Sequence, residues 1–133
     1  MQTTDQVAAD PTLRIYAILR GDLKMPAGKA AAQAGHAFLD SYETARHMRP
    51  ALCEDYMADG HGTKVVLVAP SYGALEEAME VAAELGLPYA LITDSGHILP
   101  PHFDGSPIVT ALGIGPALRH EVALITNRFE LMR

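Results

Sequence analysis

Lys29, Gln33, His36 and Asp40 follow one another at intervals of 4, 3 and 4 residues. On a helix turning ~100° per residue they fall within roughly 60° of each other, as one polar stripe. Ala30, Ala31, Ala34 and Ala37 flank the stripe, and Phe38 lies on a more buried side. Small neighbours let such a helix pack tightly and leave room beside the stripe. A second group is Asp94, followed by Ser95, Gly96 and His97. If Lys29 and Asp94 meet, they make a lysine–carboxylate pair. The carboxylate could orient or deprotonate a water, and the ammonium could stabilise a developing oxyanion. The same stripe is also what a solvated helix face looks like, and spacing alone leaves both readings open.

The surrounding pattern says which elements must position these groups. Leu13 to Leu19, "LRIYAIL", has the length and apolarity of a buried strand. A helix is expected from Pro26 to Arg46, with Pro26 in its first turn, and a second from Pro50 to Ala58, ended by "DGHG". Thr63 to Ala69 reads as the second strand. Ser71 can cap a helix whose apolar face is Leu75, Ala78, Met79, Ala82 and Leu85, with Gly86 ending it. Leu87 to Thr93 and Ile108 to Gly115 read as strands three and four, joined by the Gly- and Pro-rich loop "DSGHILPPHFDGSP". Pro116 is expected to open a last helix to Thr126, and "RFELM" a short edge strand. Alternating strands and helices predict an α/β fold on a mostly parallel sheet. Strands three and four lack an intervening helix, so that pair could be antiparallel and the sheet mixed. Ligands of open α/β sheets gather at the carboxyl ends of strands. Arg20, Asp22, Lys24 and Lys29 follow strand one, and Asp94 follows strand three. Parallel directions for those two strands would put Lys29 and Asp94 on one rim.

Composition and motifs narrow the function classes. The 133 residues suit one domain, expected over 13–133, behind a disordered tail at 1–12. The N-terminus has neither a basic nor an apolar stretch of signal-peptide type, and no apolar run is long enough to span a bilayer. Cys53 is the only cysteine, which excludes an internal disulfide. A reducing cytoplasm is the expected compartment, and Cys53 itself reads as a small core residue. Gly28–Lys29 is not a phosphate loop, because Leu23 and Ala30 stand where glycine and Ser or Thr are needed. His97 and His102 share a loop, but no zinc-type spacing accompanies them. No G-x-S-x-G elbow is present. The net charge of −6 opposes polyanion binding, so any nucleic-acid role must rest on a local basic patch.

"DLKMPAGKAAAQAGHA" resembles the first-helix signature of the type-2 peptidyl-tRNA hydrolases, K-M-x-x-G-K-x-A-A-Q-x-x-H-A. "TKVVLV", "LGLPYALITDSG" and "TALGIGPA" resemble that family's later blocks, in the same order. The resemblance runs from about Leu13 to the C-terminus. It implies a three-layer α/β/α sandwich on a four-stranded mixed sheet, a homodimer, and cleavage of the ester between a peptide and the terminal ribose of tRNA, without a cofactor or metal in the reaction. By resemblance Lys29 and Gln33 are functional positions on the first helix, Asp94 the acid after strand three, and Thr110 a threonine of the last block. Lys24 and His36 match as substrate-side or supporting residues. Ester hydrolysis suits these groups: Asp94 for the water, Lys29 for the oxyanion, Gln33 and Thr110 for fixed hydrogen bonds.

Three departures stand out. The family loop D-A-G-R-T reads "DSGHI" here, so Ile98 replaces a threonine and His97 an arginine. The following loop is longer. Ala27 stands where the family has a lysine. Arg20, Lys24 and Lys29 would have to form the basic groove that holds tRNA, with His97 beside it. The alternative reading keeps the fold but makes the chain a catalytically altered paralogue that binds a small ligand or a protein through the long loop.

Overall fold

The computed structural model describes residues 12–58 and 60–133. All but Thr12 of the tail expected over 1–12 lies outside them. The first strand, β1 (Leu13–Arg20), is buried without interruption from Ile15 to Leu19. Such a run belongs to a strand covered on both faces. Its side chains alternate accordingly. Tyr16 and Ile18 enter one apolar cluster, Ala17 and Leu19 another.

A short 3-10 turn, Gly21–Leu23, leads from β1 towards α1 (Ala27–Met48). Pro26 caps this helix from just outside its first turn, its carbonyl accepting from Ala30 N–H at 2.9 Å. α1 lays Ala30, Ala34 and Ala37 on the sheet against Ala17, Leu19, Ile92 and Ala111. Ala31 lies at solvent, not in that interface. α2 (Pro50–Ala58) buries Cys53 and Tyr56, and burial pushes the Cys53 thiol up from its ordinary range. β2 (Thr63–Ala69) then pairs in parallel with β1, from Arg14↔Thr63 to Arg20↔Ala69.

In the other cluster α3 (Tyr72–Glu84) and α4 (Arg119–Thr126) set Leu75, Ala78, Ala82, Val122 and Ile125 against Ile18, Leu67 and Leu112. Ser71 caps α3, its hydroxyl accepting from Ala74 N–H at 3.2 Å. Gly86, at φ +71, turns the chain after the helix. Leu85 is exposed rather than part of the apolar face.

The remaining strands are β3 (Tyr89–Asp94), the two-residue β4 (Ile98–Leu99) and β5 (Phe103–Asp104), β6 (Ile108–Leu118) and β7 (Glu130–Leu131). The main sheet has the order β3-β6-β1-β2-β7, and β4 and β5 pair separately. This corrects the expected four-stranded, mostly parallel sheet. It has five strands, and among the described residues only β1–β2 is a parallel pair within it. Parallel pairing needs a helical crossover, and α1 with α2 supplies it between β1 and β2. No helix separates β3 from β6, so β6 returns antiparallel to both β3 and β1. β7, the edge strand expected from "RFELM", turns back onto β2.

The last strand and helix also correct the reading of Pro116. β6 continues to Leu118, and α4 begins at Arg119. Gly115 and Pro116 lie where the β1–β6 register shifts between Arg14 and Tyr16. A bulge is where a strand tolerates proline. No described helix is long and apolar enough to cross a membrane.

Candidate active site

β1 and β3 both run antiparallel to β6, so their carboxyl ends share one edge of the sheet. Leu19 of β1 and Ile92 of β3 are both paired with Ala111 of β6. The loop after β1 enters α1, and the first turns of α1 pass over this edge. The expected rim therefore forms, although the sheet is mostly antiparallel.

On it Lys29 Nζ lies 2.7 Å from Asp94 Oδ2. The side chains are 12% and 22% exposed, so the pair is shielded but reachable. One turn along α1, Gln33 is buried, and Thr110 on β6 is fully so. Thr110 Oγ1 donates to Gln33 Oε1 at 2.5 Å. A buried hydroxyl and amide must find partners, and here each serves the other. With its oxygen held, the Gln33 amide presents its NH2 as the free end. Gln33, His36, Asp40, Leu91, Ile92, Thr93 and Asp94 line an open groove of about 430 Å3. The groove shares Asp40 and Leu91 with a wider depression of about 810 Å3.

Of the other expected residues, His36 joins this groove, whereas Lys24, Arg20 and His97 do not line it. His36 is exposed on the groove wall. Lys24 is exposed, at φ 50 in the left-handed region. Arg20 is bound up locally. Its guanidinium donates to both oxygens of Asp22 at 3.2 and 2.8 Å and to Val109 O at 3.0 Å, and lies 5.6 Å from the centre of the Tyr72 ring. The same guanidinium holds the Asp22 carboxyl below its ordinary range. The three cations after β1 thus do not form an open basic groove: Arg20 and Lys29 each face a carboxylate. His97 is exposed, its ring 5.5 Å from that of Phe103. Ile98 is 70% exposed. Among the described residues no group of three or more His, Cys, Asp or Glu could hold a metal ion.

Phe103 is the residue that sequence reasoning missed. Its ring centre is 4.4 Å from Lys29 Nζ, and it is buried although it sits in the loop between β3 and β6. The available signal was one aromatic in a stretch of Pro, Gly and polar residues, close after the candidate acid. Taken together, a carboxylate and an oriented amide line one groove, and the Lys29 ammonium lies against that carboxylate. That set can activate a water and stabilise negative charge on a carbonyl oxygen.

Comparison with known proteins points the same way. The family model described as Peptidyl-tRNA hydrolase PTH2 matches residues 13–132. The peptidyl-tRNA hydrolase of Pyrobaculum aerophilum is 39% identical over 119 residues, covering 86% of this chain and 93% of that protein. That of Methanocaldococcus jannaschii is 31% identical over 121 residues, covering 90% of this chain and all of that protein. The human mitochondrial peptidyl-tRNA hydrolase 2 is 36% identical over 106 residues, 78% of this chain and 56% of that protein.

Proposed function

The chain belongs to the Peptidyl-tRNA hydrolase PTH2 family, and from that premise we propose that it hydrolyses the ester joining a peptide to the terminal ribose of tRNA. The observation that carries the reading is the Lys29–Asp94 pair at 2.7 Å, one helical turn from the Gln33–Thr110 pair. Asp94 orients a water and takes its proton as the water oxygen attacks the ester carbonyl carbon. Lys29 Nζ and the Gln33 amide NH2 donate to the carbonyl oxygen as it becomes negative. Collapse of the intermediate expels the ribose oxygen, which takes the proton from Asp94. Peptide acid and free tRNA result. Thr110 keeps the amide of Gln33 turned towards the substrate. Lys24, His36 and His97 lie on the substrate side, Lys24 and His97 as candidate contacts to tRNA phosphates.

The test uses purified protein and an N-blocked aminoacyl-tRNA, with release of the blocked amino acid as the readout. Turnover is expected. Lys29→Ala and Asp94→Ala should each lower kcat/KM by about 10²–10³-fold with the fold intact. Absence of turnover by the folded protein, or full activity in both variants, rejects the assignment.

One observation favours the second reading, a catalytically altered paralogue that binds rather than cleaves. Ile98 stands where the resemblance places a threonine, and it is exposed and unable to donate a hydrogen bond. Saturable binding of the uncleaved ester would support that reading. Further, we take residues 13–133 as one domain, in which the two apolar clusters are the interfaces of a three-layer α/β/α arrangement. We also take the working form to be a homodimer in the cytoplasm.

A further inference from the structure

Phe103 is 2% exposed, yet it belongs to neither of the two apolar clusters among the described residues. Its burial is therefore not explained by packing into either cluster. What lies over its ring is the Lys29 ammonium, at 4.4 Å from the centroid. We propose that Phe103 is a positioning residue, which holds the Lys29 ammonium against Asp94 and aims its remaining N–H at the substrate. This rests on the reading of Lys29 as the group that meets the developing oxyanion.

The geometry limits where the ammonium can point. A lysine ammonium carries three N–H bonds and sits on a flexible stem. One N–H is taken by Asp94 Oδ2 at 2.7 Å. The face of Phe103 closes off a second direction, and a cation is attracted to such a face. One N–H is left for a substrate oxygen. Without the ring, water would occupy that side, and the stem would be free to swing.

The loop is built to present the ring. Leu99 pairs with Phe103 across β4 and β5. Below them Gly96 N–H donates to Gly105 O at 2.9 Å, and Gly105 N–H to His97 O at 3.0 Å. Both glycines have positive φ, +80 and +94, where a side chain would strain the turn. Ser106 fastens the following turn, its N–H and hydroxyl donating to Asp104 Oδ1 at 3.0 and 2.5 Å. The His97 ring lies tilted beside Phe103, 5.5 Å between centroids. The loop that has Ile98 in place of a threonine thus brings an aromatic face to the same lysine.

Two measurements test the assignment. The chain has three lysines, Lys24, Lys29 and Lys64. In protein labelled with 13C-lysine, the ring current of Phe103 should move the ε-CH2 protons of Lys29 upfield, with the signal identified by Lys29→Arg. Phe103→Leu should abolish that displacement. In the hydrolysis assay Phe103→Leu should lower kcat by about five- to thirty-fold with KM within about twofold, while Phe103→Tyr and Phe103→Trp keep kcat near the native value. A native Lys29 signal without displacement overturns the proposal. So does unchanged kcat in Phe103→Leu, or equal loss in the aromatic variants. If Phe103→Leu does not fold, the native signal and the two aromatic variants still decide. A native protein that does not hydrolyse the ester rejects the function, whereas the Lys29 signal tests the contact independently.

Discussion

Thr110 and Gln33 share one hydrogen bond, and its direction sets which end of the amide faces the groove. The threonine hydroxyl donates, so the glutamine oxygen is the held end. Thr110→Val keeps the shape and removes the donor. It leaves a buried carbonyl oxygen unsatisfied, at a cost of about 1–3 kcal/mol in unfolding free energy. The freed amide no longer aims its NH2, so kcat should fall about tenfold with KM little changed. Chemical denaturation and steady-state kinetics measure the two effects. Gln33→Ala added to Thr110→Val should cost much less than the sum of the single changes, because both act on one contact. Equal, additive losses would mean that the residues work separately. Thr110 was singled out in the sequence through family resemblance alone, Lys29 and Gln33 also through helical spacing, and Asp94 also through strand-end placement. Phe103 was not. Its role depends on a two-residue pairing, Leu99 with Phe103, which has no periodicity to detect. Arg20 was read as a substrate contact because a strand end places it well. Only the side-chain geometry reveals that Asp22 and the Val109 carbonyl engage it.

At the level of elements, the site depends on how closely α1 lies on β6. Gly113 marks the closest approach: a Cβ there would come within 2.1 Å of the Ala37 carbonyl oxygen and 2.9 Å of Ser41 Cβ. The obstacle is helix backbone, which no rotamer change can clear. Gly113→Ala must therefore push α1 off the sheet, at a cost of about 1–3 kcal/mol or more. Ala37 is one turn from Gln33, so the Gln33–Thr110 bond should stretch as well. Activity should fall at least as far as in Thr110→Val. Gly35 on the same helix is the control, because a Cβ there meets nothing within 4 Å. Gly35→Ala should leave activity unchanged and raise stability by up to about 1 kcal/mol, since alanine suits a helix better. Denaturation midpoints and kcat for the two variants check this, and an active, stable Gly113→Ala would refute the close-contact account. The small residues of α1 were legible as a packing surface, and Ala30, Ala34 and Ala37 bear that out. Strand direction was harder to read. A buried apolar run looks the same in either direction, and only the missing helix between β3 and β6 hinted at the reversal. The end of β6 was misplaced for a related reason. Proline usually marks the start of a helix, and a bulge opposite Arg14 to Tyr16 cannot be seen along one strand.

The whole molecule carries a net charge of −6 and must still accept a polyanion. Composition made that tension legible, but not its local resolution. Of the cations after β1, Arg20 is engaged by Asp22 and Lys29 by Asp94, leaving Lys24 exposed at the edge. Such a surface grips few phosphates. Each neutralised phosphate releases counterions and steepens the salt dependence of binding, with slope about −0.7 to −0.9 per contact. One or two contacts predict a loss of about tenfold or less in tRNA affinity between 50 and 200 mM salt, against about 10³–10⁵-fold for a protein making 6–10 contacts. Lys24→Ala should reduce the slope by about one and raise KM while leaving kcat near the native value. The affinity of the native protein for deacylated tRNA, measured across a salt series, gives the slope directly. A steep slope that survives Lys24→Ala would locate the phosphate grip on another face and require the acceptor end to reach the groove from there. A shallow slope would mean that recognition rests on the ester and its peptide. The groove beside Asp94 and the wider depression beyond Asp40 and Leu91 offer room for both.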